Sequence, residues 1–132
     1  MNPSLTAGLA GLTLLLAQTA QSETISTHIL DLARGVGGAD VPVTLALKGG
    51  DGEWHQLAAA RTDENGRVKE FAGVDAEAGI YRLSFDMTGY GDAGTSPFFP
   101  QIDVTFQIRD PDQHHHVPVV VSPFGYSTYR GN

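Results

Sequence analysis

Along Ile102-Asp103-Val104-Thr105-Phe106-Gln107-Ile108-Arg109 every second residue is apolar. A period of two sends successive side chains to opposite faces, so the pattern predicts a strand with one face in a core and one in water. The same alternation runs through Val41, Val43, Leu45 and Leu47, and through Tyr81, Leu83, Phe85 and Met87. Ile25 to Asp31, Glu53 to Arg61 and Val117 to Val121 read as further strands. Gly, Pro and Asp clusters such as Gly49-Gly50-Asp51-Gly52 and Asp110-Pro111-Asp112 separate them. About seven short strands predict an all-β antiparallel sandwich. One short helix is expected near Thr88 to Thr95, held short by its glycines.

At 132 residues the chain suits a single domain. Its first 22 residues carry no charged side chain and include the apolar run Ala7 to Ala17, which is short for a membrane span. Ala20-Gln21-Ser22 offers small residues where a signal peptidase reads. Residues 1–22 are therefore expected to be a signal peptide and 23–132 the mature domain, periplasmic or secreted, with no membrane attachment after cleavage. A retained hydrophobic anchor is the other reading of this segment. The absence of cysteine excludes disulfides, thiolate zinc sites and cysteine nucleophiles. A formal charge of −7 with only eight Lys and Arg excludes a nucleic-acid partner, because a phosphate backbone is gripped by clustered cations.

Five histidines carry the candidate chemistry: His28, His55, His114, His115 and His116. His55, after Trp54 in a polar-rich strand, reads as solvated. His28 alternates with Ile29 and so points away from the core; a half-exposed strand histidine is its plain reading. In the run His114-His115-His116 the outer two share a face and the middle one opposes them, so three adjacent histidines do not converge on a metal. The segment Thr62-Asp63-Glu64-Asn65-Gly66-Arg67 contains an Asn-Gly pair, expected to form a tight turn with positive φ at both residues. A calcium loop fails on spacing, with no third acid before the glycine. The turn would fix Arg67, whose planar fork suits a carbonyl or a developing oxyanion, or simply solvent.

Taken together, Ser26-Thr27-His28-Ile29-Leu30-Asp31, Thr62 to Arg67, Gly79-Ile80-Tyr81-Arg82-Leu83, Phe98-Phe99-Pro100 and the stretch from His114 to Gly131 resemble 5-hydroxyisourate hydrolases, the enzyme branch of the transthyretin-like proteins. The resemblance implies a transthyretin-like antiparallel β-sandwich of seven to eight strands. It also implies a homotetramer with active sites in the channel between dimers, and hydrolysis of 5-hydroxyisourate to 2-oxo-4-hydroxy-4-carboxy-5-ureidoimidazoline without metal or cofactor. The family's catalytic residues fall on His28, Arg67 and His116. Substrate contacts fall on His28, Arg67, Tyr129 and Arg130. Two positions depart from the family pattern: Asn132 stands where a terminal serine is usual, and His115 where tyrosine is common. Asn132 can still donate and accept hydrogen bonds to substrate.

Ring opening adds water to an acyl carbon and expels a ring nitrogen. His116 is assigned as the base and His28 as the group that orients water or protonates the leaving nitrogen, although the sequence leaves these two roles exchangeable. The histidines and the polar tail are expected on neighbouring stretches of one channel, so that an extension past Asn132 would block it. Two other classes stay open: a transthyretin-type carrier of a small ligand, and a protein-contact module using a patch of Phe98, Phe99 and Phe124.

Overall fold

The computed structural model describes residues 24–92 and 96–132, so the signal-peptide reading of residues 1–22 lies outside the described residues. Among the described residues nine strands follow one another: β1 (Ile25–Asp31), β2 (Val36–Gly37), β3 (Pro42–Lys48), β4 (Trp54–Arg61), β5 (Arg67–Val68), β6 (Gly79–Asp86), β7 (Gln101–Ile108), β8 (His115–Ser122) and β9 (Gly125–Thr128). One sheet runs β2-β1-β8-β9 with β5 also paired to β1, and the other runs β4-β3-β6-β7. This is the expected sandwich, with β2 and β5 as two-residue additions. The hairpin strand β9 went unread in the sequence because its turn, Pro123-Phe124, lacks the usual Asn-Gly or Asp-Gly signal.

The alternation seen in the sequence becomes the core. Tyr81, Leu83 and Phe85 of β6 are fully buried. Their cross-strand partners are Leu45 and Val43 of β3 and Val104 and Ile102 of β7. From the other sheet Ile29, Val117, Val119 and Val121 complete the same cluster. Each such side chain contributes roughly 1.5–3 kcal/mol by leaving water. The buried Tyr81 hydroxyl donates to the Glu77 carbonyl at 2.8 Å and accepts from the Glu77 N–H at 3.0 Å, so its polar end is satisfied.

One pairing sets the architecture apart from a plain meander. β1 and β8 run parallel from Ile25↔His115 to Asp31↔Val121, whereas every other strand pair is antiparallel. Parallel neighbours need a long crossover, and here the crossover contains the entire second sheet. Thr27, completely buried, donates its hydroxyl to the Val117 carbonyl at 2.6 Å and clamps this pair at its centre.

The helix expected near Thr88 to Thr95 does not form over its described part. Asp86 accepts from the Thr88 N–H and hydroxyl, Tyr90 N–H reaches back only to the Met87 carbonyl, and Gly91 has φ +99°. Side-chain capping and a left-handed glycine thus turn the chain before a helical repeat begins; Ala93 to Thr95 lie outside the described residues. Tyr90 instead donates its hydroxyl to the Asp31 carboxylate, tying this segment to the end of β1. Burial and that carboxylate push the Tyr90 hydroxyl up to about 12. Among the described residues no helix is long and apolar enough to cross a membrane.

Thr62 joins the sheets: its hydroxyl donates to the Gly38 carbonyl at 2.6 Å and accepts the Val41 N–H at 2.9 Å, in a buried setting. Thr62→Val keeps the shape but leaves both backbone groups unpaired, and is expected to lower stability by roughly 1–3 kcal/mol in urea denaturation.

Candidate active site

The register of three strands brings the chemistry together. Ser26 pairs with His116 and His28 with Pro118 across β1–β8, while His28 pairs with Arg67 across β1–β5. His116 in turn bridges to Gly131. Ile29 is fully buried and His28 only half-buried, so the even-numbered residues of β1 form the outer face. Arg67, His28, Ser26, His116 and the chain's last residues therefore lie side by side on the outside of one sheet. A cavity of about 370 Å³ opens there, lined by Ser26, Arg67, Lys69, His116 and Asn132 together with Thr27 and Val68. His28 adjoins this cavity beside Arg67 without lining it.

The turn preceding Arg67 is built differently from the expectation. Glu64 and Asn65 occupy its centre, closed by the Gly66 N–H donating to the Asp63 carbonyl at 2.9 Å, and only Gly66 adopts positive φ, at +80°. Asn65 stays in an ordinary conformation because the loop has three residues and places its one left-handed position after the turn. A Cβ at Gly66 would sit 2.5 Å from the Gly38 nitrogen and 2.6 Å from the Ile29 oxygen, so the loop docks where only glycine fits. The Asp63 carboxylate accepts the N–H groups of Arg67 and Asn65, both at 2.9 Å, and these bonds, that of Arg67 foremost, hold its pKa below the usual value.

The same loop orients His28. Its Nε2 lies 2.9 Å from the Asn65 carbonyl oxygen, which can only accept, so Nε2 carries the proton and Nδ1 of the neutral ring is bare. Burial lowers the His28 pKa from 6.5, Arg67 lowers it further, and the Asn65 carbonyl partly offsets both. His116 is also lowered, first by burial and then by Arg67, His114 and His28. Its Nδ1 lies 2.8 Å from the Ser26 hydroxyl, which is 2.9 Å from His114 Nε2. The His114 and His116 rings stack 6.4 Å apart. His115 faces the other way: it is buried, with Nδ1 against the Gln113 carbonyl.

Gly131 covers the imidazole of His116. A Cβ at that position would come within 2.5 Å of His116 Cδ2 and 3.1 Å of Pro118 Cγ. The Gly131 N–H donates to the His116 carbonyl at 2.8 Å. Tyr129 and Arg130 do not line the cavity; Tyr129 is exposed, and Arg130 Nη2 lies 3.4 Å from Gln113 Oε1. Ser26 and Lys69 escaped sequence reasoning, and His114 was weighed there only as part of the histidine run. Ser26 shares a strand face with His28, but its place beside His116 follows only from the β1–β8 register.

A second cavity of about 360 Å³ lies at the opposite end of β1 and β8, between Asp31, Tyr90 and Val121 and the aromatic rings. Phe98 contacts Phe99 and Phe124 with ring centres 4.9 and 6.0 Å apart, forming the apolar patch anticipated above. No histidine is among its described lining residues.

The model of the HIUase/Transthyretin family matches residues 25–131. The chain belongs to this family. Within the HIUase/Transthyretin family it is 43% identical to a 5-hydroxyisourate hydrolase of Caulobacter vibrioides, over 82% of this chain and 97% of that protein. It is 40% identical to one of Salmonella typhi, over 89% of this chain and 87% of that protein. Among solved structures, Klebsiella pneumoniae 5-hydroxyisourate hydrolase superposes with a TM-score of 0.71 at 33% identity, covering 83% of this chain and 99% of that one. Transthyretin from Sparus aurata superposes with 0.74 at 29% identity, covering 83% and 97%. Both branches of the HIUase/Transthyretin family thus share the backbone, and side chains must decide between them.

Because the Arg67 charge helps lower both histidine pKa values, Arg67→Gln is expected to raise the midpoints of His28 and His116 toward 6.5. An NMR titration of the imidazole ring protons reads this directly.

Proposed function

We propose that the chain hydrolyses 5-hydroxyisourate to 2-oxo-4-hydroxy-4-carboxy-5-ureidoimidazoline, with the cavity beside Arg67 and His116 as its active site. The observation that carries this reading is the pairing of two histidines, both biased toward the neutral form, with the guanidinium of Arg67 on one face. A carrier needs no such bases, although one structural neighbour is a sea bream transthyretin solved with thyroxine. The relatives named above as hydrolases favour the enzyme.

The chemistry needs a base, an oxyanion partner and a proton for the leaving nitrogen. His116 has Nδ1 held by Ser26, which leaves Nε2 to take a proton from water as the water oxygen bonds to the acyl carbon. The displaced carbonyl charge falls to Arg67, with Lys69 adding a second cation to the same cavity. Collapse of the adduct breaks the C–N bond, and the proton passes to the departing nitrogen. His28, with Nδ1 bare, is suited to orient the water or to carry that proton. Asn132 supplies an amide at the cavity edge, while Tyr129 and Arg130, which do not line the cavity, are assigned to hold the heterocycle by the family resemblance alone.

The outer face that bears these groups is open to solvent at Arg67, and a second copy of the chain would wall it off. A homotetramer with sites between dimers fits that geometry, and light scattering should return a mass of about four chains. Export to the periplasm or medium, with cleavage after residue 22, is the companion proposal, supported by the uncharged, apolar start of the sequence.

The test generates 5-hydroxyisourate with urate oxidase and follows its absorbance. The chain should accelerate decay; Arg67→Ala should lower the rate by about 10²–10³, and His116→Ala should remove the acceleration. Since the His116 pKa lies below 6.5, its base form persists on mild acidification, and the acid limb of the rate profile should fall below that pH. A wild-type chain that leaves the spontaneous rate unchanged would sink the hydrolytic reading.

A further inference from the structure

We propose that Ser26 and His114 form a proton relay behind His116, carrying its proton away from the reaction centre and returning it within one turnover; the proposal rests on the hydrolytic reading above. Ser26 Oγ sits between two imidazole nitrogens, 2.8 Å from His116 Nδ1 and 2.9 Å from His114 Nε2. A hydroxyl has one hydrogen, so it donates to one ring while accepting from the other. Only two directions of the chain satisfy this.

In the first direction His116 Nδ1–H donates to Ser26 and Ser26 donates to His114 Nε2, which leaves His116 Nε2 bare and basic. When Nε2 takes a proton from water, the Nδ1 proton moves to Ser26 Oγ and the hydroxyl proton moves to His114 Nε2. His116 is again neutral, now protonated at Nε2, and the positive charge rests on His114. Donation from Nε2 to the leaving nitrogen runs the shift backwards and returns His114 to neutrality. No proton is gained or lost over the cycle.

The surroundings favour moving the charge. His116 is flanked by Arg67, His28 and His114, each of which opposes a cation on its ring, and Lys69 lines the same cavity. His114 is exposed to solvent, where an imidazolium is hydrated, whereas His116 is half-buried. Ser26 is itself buried on β1, paired in register with His116, so the hydroxyl is held between the rings rather than free to leave. The stacked arrangement of the two rings keeps both nitrogens within reach of one oxygen.

Three measurements test the relay. Without substrate, ¹⁵N shifts of the His116 ring should report Nδ1–H in the wild type and a mixture of tautomers in Ser26→Ala. With 5-hydroxyisourate, Ser26→Ala and His114→Gln should each lower kcat by about 10²-fold, near the lower end of general acid–base contributions, with KM little changed. His114→Gln is the sharper variant, because its amide keeps a hydrogen bond to Ser26 but takes no proton. The kcat of the wild type in H₂O/D₂O mixtures should curve, as expected for several protons in flight, and become linear in both variants. Wild-type kcat in His114→Gln, or a linear wild-type dependence, overturns the relay. Failure of the wild type to act on 5-hydroxyisourate strikes the hydrolytic reading instead, and the tautomer shifts still judge the hydrogen-bonded chain.

Discussion

The parallel pairing of β1 with β8 governs the site. Seven residue pairs, from Ile25↔His115 to Asp31↔Val121, set which side chain of one strand stands beside which of the other. A slip of one residue would turn His116 into the core and bring His115 to the outer face, because strand side chains alternate. The core resists that slip: Val117, Val119 and Val121 would all be sent to solvent. Thr27, bonded to the Val117 carbonyl in the buried layer, adds a polar lock at the same level as the histidines. Hydrophobic burial on the inner face thereby fixes functional geometry on the outer face.

Electrostatics on that outer face runs against the character of the chain. The sequence carries a net −7, yet Arg67, Lys69 and three histidines gather around one sheet surface, with Asp63 turned into its own loop to accept backbone N–H groups. Burial first, and Arg67 after it, favour the neutral imidazoles of His28 and His116, the forms able to act as bases. An anion in the cavity would meet Arg67 and Lys69 as attraction.

Period-two alternation placed β3, β6 and β7 within a residue or two, and Gly, Pro and Asp punctuation bounded the segments that became β1, β4 and β8. The failed helix near Thr88 had no apolar period behind it, and Asp86 and Gly91 decide that segment locally. His28 and His116 could be assigned to the outer face by parity alone. Their proximity could not, because it arises from a parallel register between segments about 90 positions apart. Ser26 is the clearest example: an ordinary strand serine in sequence, and the link between two imidazoles once β8 lies beside β1. Arg67 was visible through its glycine turn, although the turn's true shape depends on Gly66 meeting Gly38 and Ile29.

The crossover between β1 and β8 also bears on how the molecule assembles. Contacts that join residues so distant along the chain raise the contact order, and loop-closure entropy is spent before such contacts return any stability. The β4-β3-β6-β7 sheet, built from neighbours in sequence apart from the β4–β3–β6 return, has the shorter closures to make. That layer can therefore be arranged while β1 waits, unpaired on its β8 side, for about the last seventh of the chain. During synthesis β1 is an exposed edge, the stretch most open to pairing with another chain.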